Sequence, residues 1–120
     1  MDIKLTYADH RLLAIVWDSE PILSPDLCKL AEAQFGWKRT TTYTVLKRLC
    51  DKTLLINENA LVRSLVSREE MQKSESRQVI HRTFAGSLPQ FIAAFLDGRK
   101  ISDSDADKIK RIIDSYREDK

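Results

Sequence analysis

The sequence predicts a mainly α-helical protein: three helices, one short β-hairpin, then further helix. Three observations carry that expectation. Glycine and proline number only three each in 120 residues, so little in the chain interrupts helices. Apolar residues recur at spacings of three and four over most of its length. One stretch, from Leu54 to Val66, departs from that period into short β-favouring runs around turn-forming residues.

The elements follow in order. Thr6, with Asp9 three residues on, is capping-box chemistry and opens a helix with the stripe Leu12, Leu13, Val16 and Trp17. Asp18-Ser19-Glu20-Pro21 breaks it. Ser24-Pro25-Asp26 then supplies a side-chain cap, a first-turn proline and an acid facing the helix dipole. Leu27, Leu30 and Ala31 lie on one face of this second helix, and Gly36 is placed to stop it. A third helix is expected from about Thr40 to Lys52, with Val45, Leu46 and Leu49 on its apolar side. Leu54-Leu55-Ile56 and Leu61 to Val66 read as strands joined at Asn57-Glu58-Asn59. Three helices with a hairpin directly after the third is the order of a winged helix-turn-helix, assigned to residues 1–67.

Residues 68–120 read as a helical dimerisation region. Ser67 or Arg68 opens a helix carrying Met71, Val79, Ile80 and Phe84, and Gly86 interrupts it. Leu88, Phe91, Ile92, Phe95 and Leu96 form a dense apolar patch; after Asp97-Gly98, Ser102 caps a last helix with the stripe Ala106, Ile109, Ile113 and Tyr116. An isolated hairpin of helices cannot bury two such stripes on itself. A homodimer is therefore expected, held by Phe84, Leu88, Phe91, Ile92, Phe95, Ile109, Ile113 and Tyr116.

Composition removes several function classes. The formal net charge is only +2, which does not suit a general polyanion binder, so any nucleic-acid footprint must be local. No apolar stretch approaches the roughly 18 residues of a membrane span, and Met1-Asp2-Ile3-Lys4 lacks the layout of a signal peptide. Cytoplasmic residence without membrane insertion is expected. Cys28 and Cys50 each sit inside an apolar helical pattern, and His10 and His81 make no ligand pair with them. They read as small core residues, with no metal or cofactor; a metal- or redox-gated regulator is the alternative. There is no Gly-rich phosphate loop and no nucleophile beside a base, so no enzyme is expected. Asp103, Asp105 and Asp107 lack the glycine and distal glutamate of a calcium loop and suit a helix N-terminus instead.

The most informative segment is Trp37 to Leu49. From Gly36 to Lys52 five cations, Lys38, Arg39, Lys47, Arg48 and Lys52, face one acid, Asp51, a local charge of +4 in a chain whose remainder is slightly acidic. A helix in the major groove reads bases with its first turns and phosphates with flanking cations and hydroxyls. Threonine can hydrogen-bond base edges or press its methyl on a thymine methyl, yet it is a middling helix former. Thr40, Thr41 and Thr44 share the face opposite Val45 and Leu49 and are the candidate base readers, with Lys38, Arg39 and Arg48 as flanking cations. Tyr43 either reaches a phosphate or packs under the wing. Arg63 is the one cation of the hairpin, equally readable as a wing contact to DNA or an isolated surface arginine.

These residues resemble the BlaI/MecI family of penicillinase and methicillin-resistance repressors over essentially the whole chain. The likeness lies in Leu5-Thr6 through Leu13 to Val16-Trp17, and in Trp37 with Thr41, Thr44, Leu46, Arg48 and Leu49. It continues in Arg82, Phe84, Gly86 and Leu88, in Phe95-Leu96-Asp97, and from Ser102 to Ile113. The resemblance implies a homodimer on a palindromic double-stranded operator, repressing β-lactamase or related resistance genes. It also implies Arg39 and Arg48 near phosphates, and relief when a membrane sensor with a metalloprotease domain triggers cleavage in the tail. The matching bond is Ala94-Phe95, where Ala94 stands in place of the asparagine of the best-known members. Copper-responsive relatives carry a Cys-x-Cys pair near the C-terminus; this tail has no cysteine. A winged helix used only for protein contact remains the other competing reading.

Overall fold

A computed structural model describes residues 4–118. Six helices and three short strands alternate as α1 (Tyr7–Ser19), β1 (Ile22–Leu23), α2 (Ser24–Phe35), α3 (Arg39–Asp51), β2 (Leu55–Glu58), β3 (Leu61–Ser64), α4 (Arg68–Phe84), α5 (Leu88–Leu96) and α6 (Asp103–Ser115). The fold is a winged helix-turn-helix with a helical C-terminal region. It divides into two compact units, one ending at Gln78 and the other beginning at Val79.

In the first unit the capping box forms as expected: Thr6 Oγ1 accepts from the Asp9 N–H, and the Asp9 carboxylate accepts from the Thr6 N–H. The apolar stripes of α1, α2 and α3 close on one core, in which Leu12, Leu13, Val16, Leu27, Leu49 and Val62 are fully removed from water. Each such side chain contributes roughly 1.5–3 kcal/mol of transfer free energy. Met71, in the first turn of α4, is 1% exposed and belongs to the same core. The start of α4 is thus part of the winged-helix unit, beyond residue 67.

The hairpin differs in two respects from the sequence expectation. Its strands extend to Glu58 and restart at Leu61, so the tip is Asn59-Ala60, both with positive φ (52° and 68°). Two such residues make the tight loop whose twist suits a two-residue hairpin. The sheet also has a third member. β1 pairs antiparallel with β3 in the order β1-β3-β2, Ile22 opposite Val62 and Leu23 opposite Leu61. A two-residue strand carries no periodic signal of its own; it exists because β3 offers a free edge and Ile22 is drawn into the core. Glu20 secures this corner by accepting from the Ser64 N–H (2.8 Å) and from its hydroxyl (2.9 Å). Trp17 Nε1 donates to the Val66 carbonyl at 2.9 Å.

Ser24 is also placed differently. It is the first residue of α2, the N-cap being Leu23 without a side-chain bond, and its buried hydroxyl accepts from Tyr43 Oη at 3.3 Å. Tyr43 therefore packs inside rather than reaching outward. The stop at Gly36 is as expected: φ is 71°, a left-handed cap that glycine adopts without strain.

The second unit contains the end of α4 with α5 and α6. Ser87 and Ser102 cap the last two helices, accepting from the N–H of Gln90 and Asp105. Phe84, Phe91 and Phe95 form a ring series, edge-on at 5.5 Å and then stacked at 6.2 Å. Neither α5 nor α6 contains a buried residue. No helix of the described residues is long and apolar enough to cross a membrane.

Candidate nucleic-acid interface

Helix α3 presents two opposite faces, and its period decides which threonine does what. Val45, Leu46 and Leu49 point into the core, and Thr42 goes with them, fully buried. Its hydroxyl has no hydrogen-bond partner among the described residues, so this threonine acts as a spacer at some energetic cost. Thr40, Thr41 and Thr44 are exposed on the other side, beside exposed Lys38, Arg39 and Lys47. The structure thus brings together the polar face expected from the sequence.

The hydroxyls on that face are not equivalent. Thr44 Oγ1 donates to the Thr40 carbonyl one turn back, at 2.9 Å. Its proton is thereby committed, leaving an acceptor lone pair and a methyl to offer a base edge. Thr40 and Thr41 make no such bond among the described residues and keep both donor and acceptor capacity. The N-terminal turn of α3 also has no side-chain cap, so its N–H groups face outward as a positive dipole end.

Arg48 is committed elsewhere. Its Nε and Nη2 donate to the Asp9 carboxylate at 2.9 and 2.7 Å. Lys52 Nζ joins the same carboxylate at 3.5 Å and the Lys4 carbonyl at 2.9 Å. Asp9 is fully buried. Burial by itself raises its pKa. The Thr6 N–H, the two Arg48 bonds and the charges of Arg48 and Lys52 outweigh that and hold the carboxyl below its usual range. The C-terminal half of α3 is therefore pinned to the first turn of α1. Charge pattern alone assigns Arg48 to the outward cations, whereas the fold commits it to this brace. A signal for it existed: Asp9, Leu12, Leu13 and Val16 share one helical face, and an acid on a core face requires a cation partner.

Two expected positions are not on α3. Arg63 is exposed on β3 and only loosely faces Glu58, at 4.0 Å. Ala94 and Phe95 lie inside α5, where the peptide bond between them is helical. Among the aromatic tail residues, Phe95 is 56% and Tyr116 84% exposed, whereas Phe84 and Phe91 are half-buried against each other.

The two cysteines are free, Cys28 buried and Cys50 partly so. Burial, then the neighbouring Asp51 carboxylate, raises the Cys50 pKa, which works against a reactive thiolate. No group of three or more metal-ligating side chains occurs among the described residues.

The family model of the penicillinase repressors matches residues 5–115, almost the whole chain. No individual curated protein matches it at a significant level. The protein belongs to the penicillinase repressor family, a family of transcriptional repressors.

Proposed function

We propose that this repressor acts as a homodimer that inserts α3 of each subunit into successive major grooves of a palindromic operator. The observation that supports it best is the sorting of α3 into a buried apolar face and an exposed face holding Thr40, Thr41 and Thr44 beside Lys38 and Arg39. Thr40 and Thr41 can donate to or accept from base edges; Thr44 offers an acceptor and a methyl. Lys38, Arg39 and Lys47 supply phosphate contacts. The Lys47–Asp51 pair is solvent-exposed on both sides and cheap to exchange for a phosphate. Arg48 serves in this scheme by fixing the angle of α3 through Asp9. Arg63 is left a minor role, since the wing tip holds no other cation.

Dimerisation through the exposed apolar positions of the tail gives the affinity. One winged helix with few phosphate contacts binds weakly, and tethering two makes the second half-site contact effectively intramolecular. Family membership points to a β-lactamase or other resistance operon as the target, to cytoplasmic residence, and to relief by cleavage at Ala94–Phe95 downstream of a membrane sensor. A protease needs that bond extended, so α5 must unwind before it is cut. Loss of the tail then dissolves the dimer.

The test is a mobility-shift titration of the full chain on the DNA upstream of its own gene, at two salt concentrations, with Thr41→Ala and Thr44→Ala alongside. The expected result is saturable dimer binding, weakened by salt, with each variant losing about 1–3 kcal/mol per contacted base pair. Equal binding by wild type and variants sinks the assignment of α3 as the reading helix. Absence of any salt-dependent shift, also on random-sequence duplexes, leaves the winged helix to protein contact.

A further inference from the structure

The cations from Thr6 to Ser67 fall into two groups according to their partners. Between Thr6 and Ser67, Lys29, Lys47, Arg48, Lys52 and Arg63 each face a carboxylate. Among the described residues Arg11, Lys38 and Arg39 do not. The last two open the recognition helix. Arg11 is far from them in sequence, on α1, yet its guanidinium lies over the Tyr7 ring at 4.3 Å and over the Phe35 ring at 4.9 Å. Phe35 ends α2, and its ring meets that of Trp37, at 5.2 Å, in the connection that leads directly to Lys38. Arg11 is thus joined through aromatic faces to the turn preceding α3.

The manner of holding matters as much as the place. Two rings fix a guanidinium by its faces and leave its N–H edges free, the opposite of what a carboxylate does. Arg39 is treated in the same way, over the Tyr43 ring at 5.6 Å. A ring-held arginine with no acid partner has already lost side-chain freedom and keeps its donors for a planar or tetrahedral oxyanion. Tyr7 is 72% exposed, so its ring is not there to fill the core.

We propose that Arg11 is a further DNA-contacting residue, binding a backbone phosphate on the α1 side of the groove entered by α3. This rests on the operator-binding reading above. It adds one phosphate per half-site, from an element that the helix-turn-helix pattern does not include.

The experiment uses the full chain and a duplex selected by the wild-type protein from random-sequence DNA. Affinity is titrated between 50 and 200 mM salt for wild type, Arg11→Gln, Arg11→Lys and Lys29→Gln. Removing one phosphate contact per subunit lowers the log-affinity against log-salt slope by about 0.9 per half-site, or about 1.8 per dimer. Arg11→Gln should therefore show a deficit that shrinks roughly tenfold across that salt range. Arg11→Lys should keep the wild-type slope, and Lys29→Gln, outside the cations assigned to DNA, should match wild type throughout. A deficit of Arg11→Gln that is the same at both salts means that Arg11 only packs against Phe35, and overturns the proposal. So does an unchanged affinity. If the wild-type protein selects no duplex, the operator-binding reading itself fails, an outcome separable from failure of Arg11 alone.

Discussion

In the winged-helix unit Leu12, Leu13, Val16, Leu27 and Leu49 are wholly withdrawn from water, whereas in the tail Leu88, Phe95, Ile109 and Ile113 each remain at least 42% exposed. Both regions have clear helical stripes of similar residues. The difference lies in what the stripes can meet. Three helices and a sheet surround the first set from several directions, while α5 and α6 offer each other only one shared seam, leaving their outer faces uncovered. Phe91, Ile92, Phe95, Leu96, Ile101 and Ile109 line a groove along that seam. An exposed apolar face of this kind is a place where another surface can dock. The first unit thus closes a core of its own, and the second leaves its apolar residues exposed.

The largest effect expected from this contrast is on assembly. Changing Phe95 and Ile113 together to aspartate should turn the proposed dimer into a monomer by sedimentation and lower operator affinity by about 10²–10⁴-fold, with the melting of the winged-helix unit little changed. A dimer that survives both charges means that the outer faces of the tail are not the contact. The converse change belongs to the first unit. Leu49→Ala should cost about 2–5 kcal/mol in chemical denaturation, with any loss of dimer following from unfolding rather than preceding it.

The brace between α1 and α3 gives a smaller effect. Asp9→Asn should cost roughly 1–3 kcal/mol. The low part of the range is expected, because Arg48 is over a third exposed and water screens the pair once it is weakened. The pH dependence has a definite sign. The Asp9 carboxyl is held below its ordinary value, so its contribution is complete above about pH 4 and is lost as the pH falls through the lowered value. The melting difference between wild type and Asp9→Asn should stay flat from neutral to mildly acidic pH and close only in stronger acid.

The smallest effect sharpens the division within α3. Thr42→Val removes a buried hydroxyl without a partner, and should stabilise the protein by about 1 kcal/mol while leaving operator affinity unchanged. The neighbouring Thr41→Ala should do the reverse: lose affinity and leave stability nearly unaffected. If Thr42→Val lowers affinity instead, the faces of α3 have been assigned wrongly.

Much of this protein was legible in its residues, and the legible part is local. The capping box at Thr6 and Asp9, the glycine stop after α2, the cap at Ser102 and the two-faced period of α3 all depend on atoms within about one helical turn of each other. The exposed side of α3, with Thr40, Thr41 and Thr44, follows from the same period. The order of three helices and a hairpin then leaves few ways to close a core.

The pairings across long stretches of chain, by contrast, depend on the folded core. β1 is two residues long and becomes a strand because β3 presents an edge to it. Tyr43 turns inward because Ser24 is there to accept its proton. Arg48, outward-facing on charge pattern alone, is captured by an acid 39 positions away. Arg11 acquires its place beside the turn before α3 only when Phe35 folds against it. Each choice was between water and a partner brought near by the core, and periodicity within one element has no information about a partner in another.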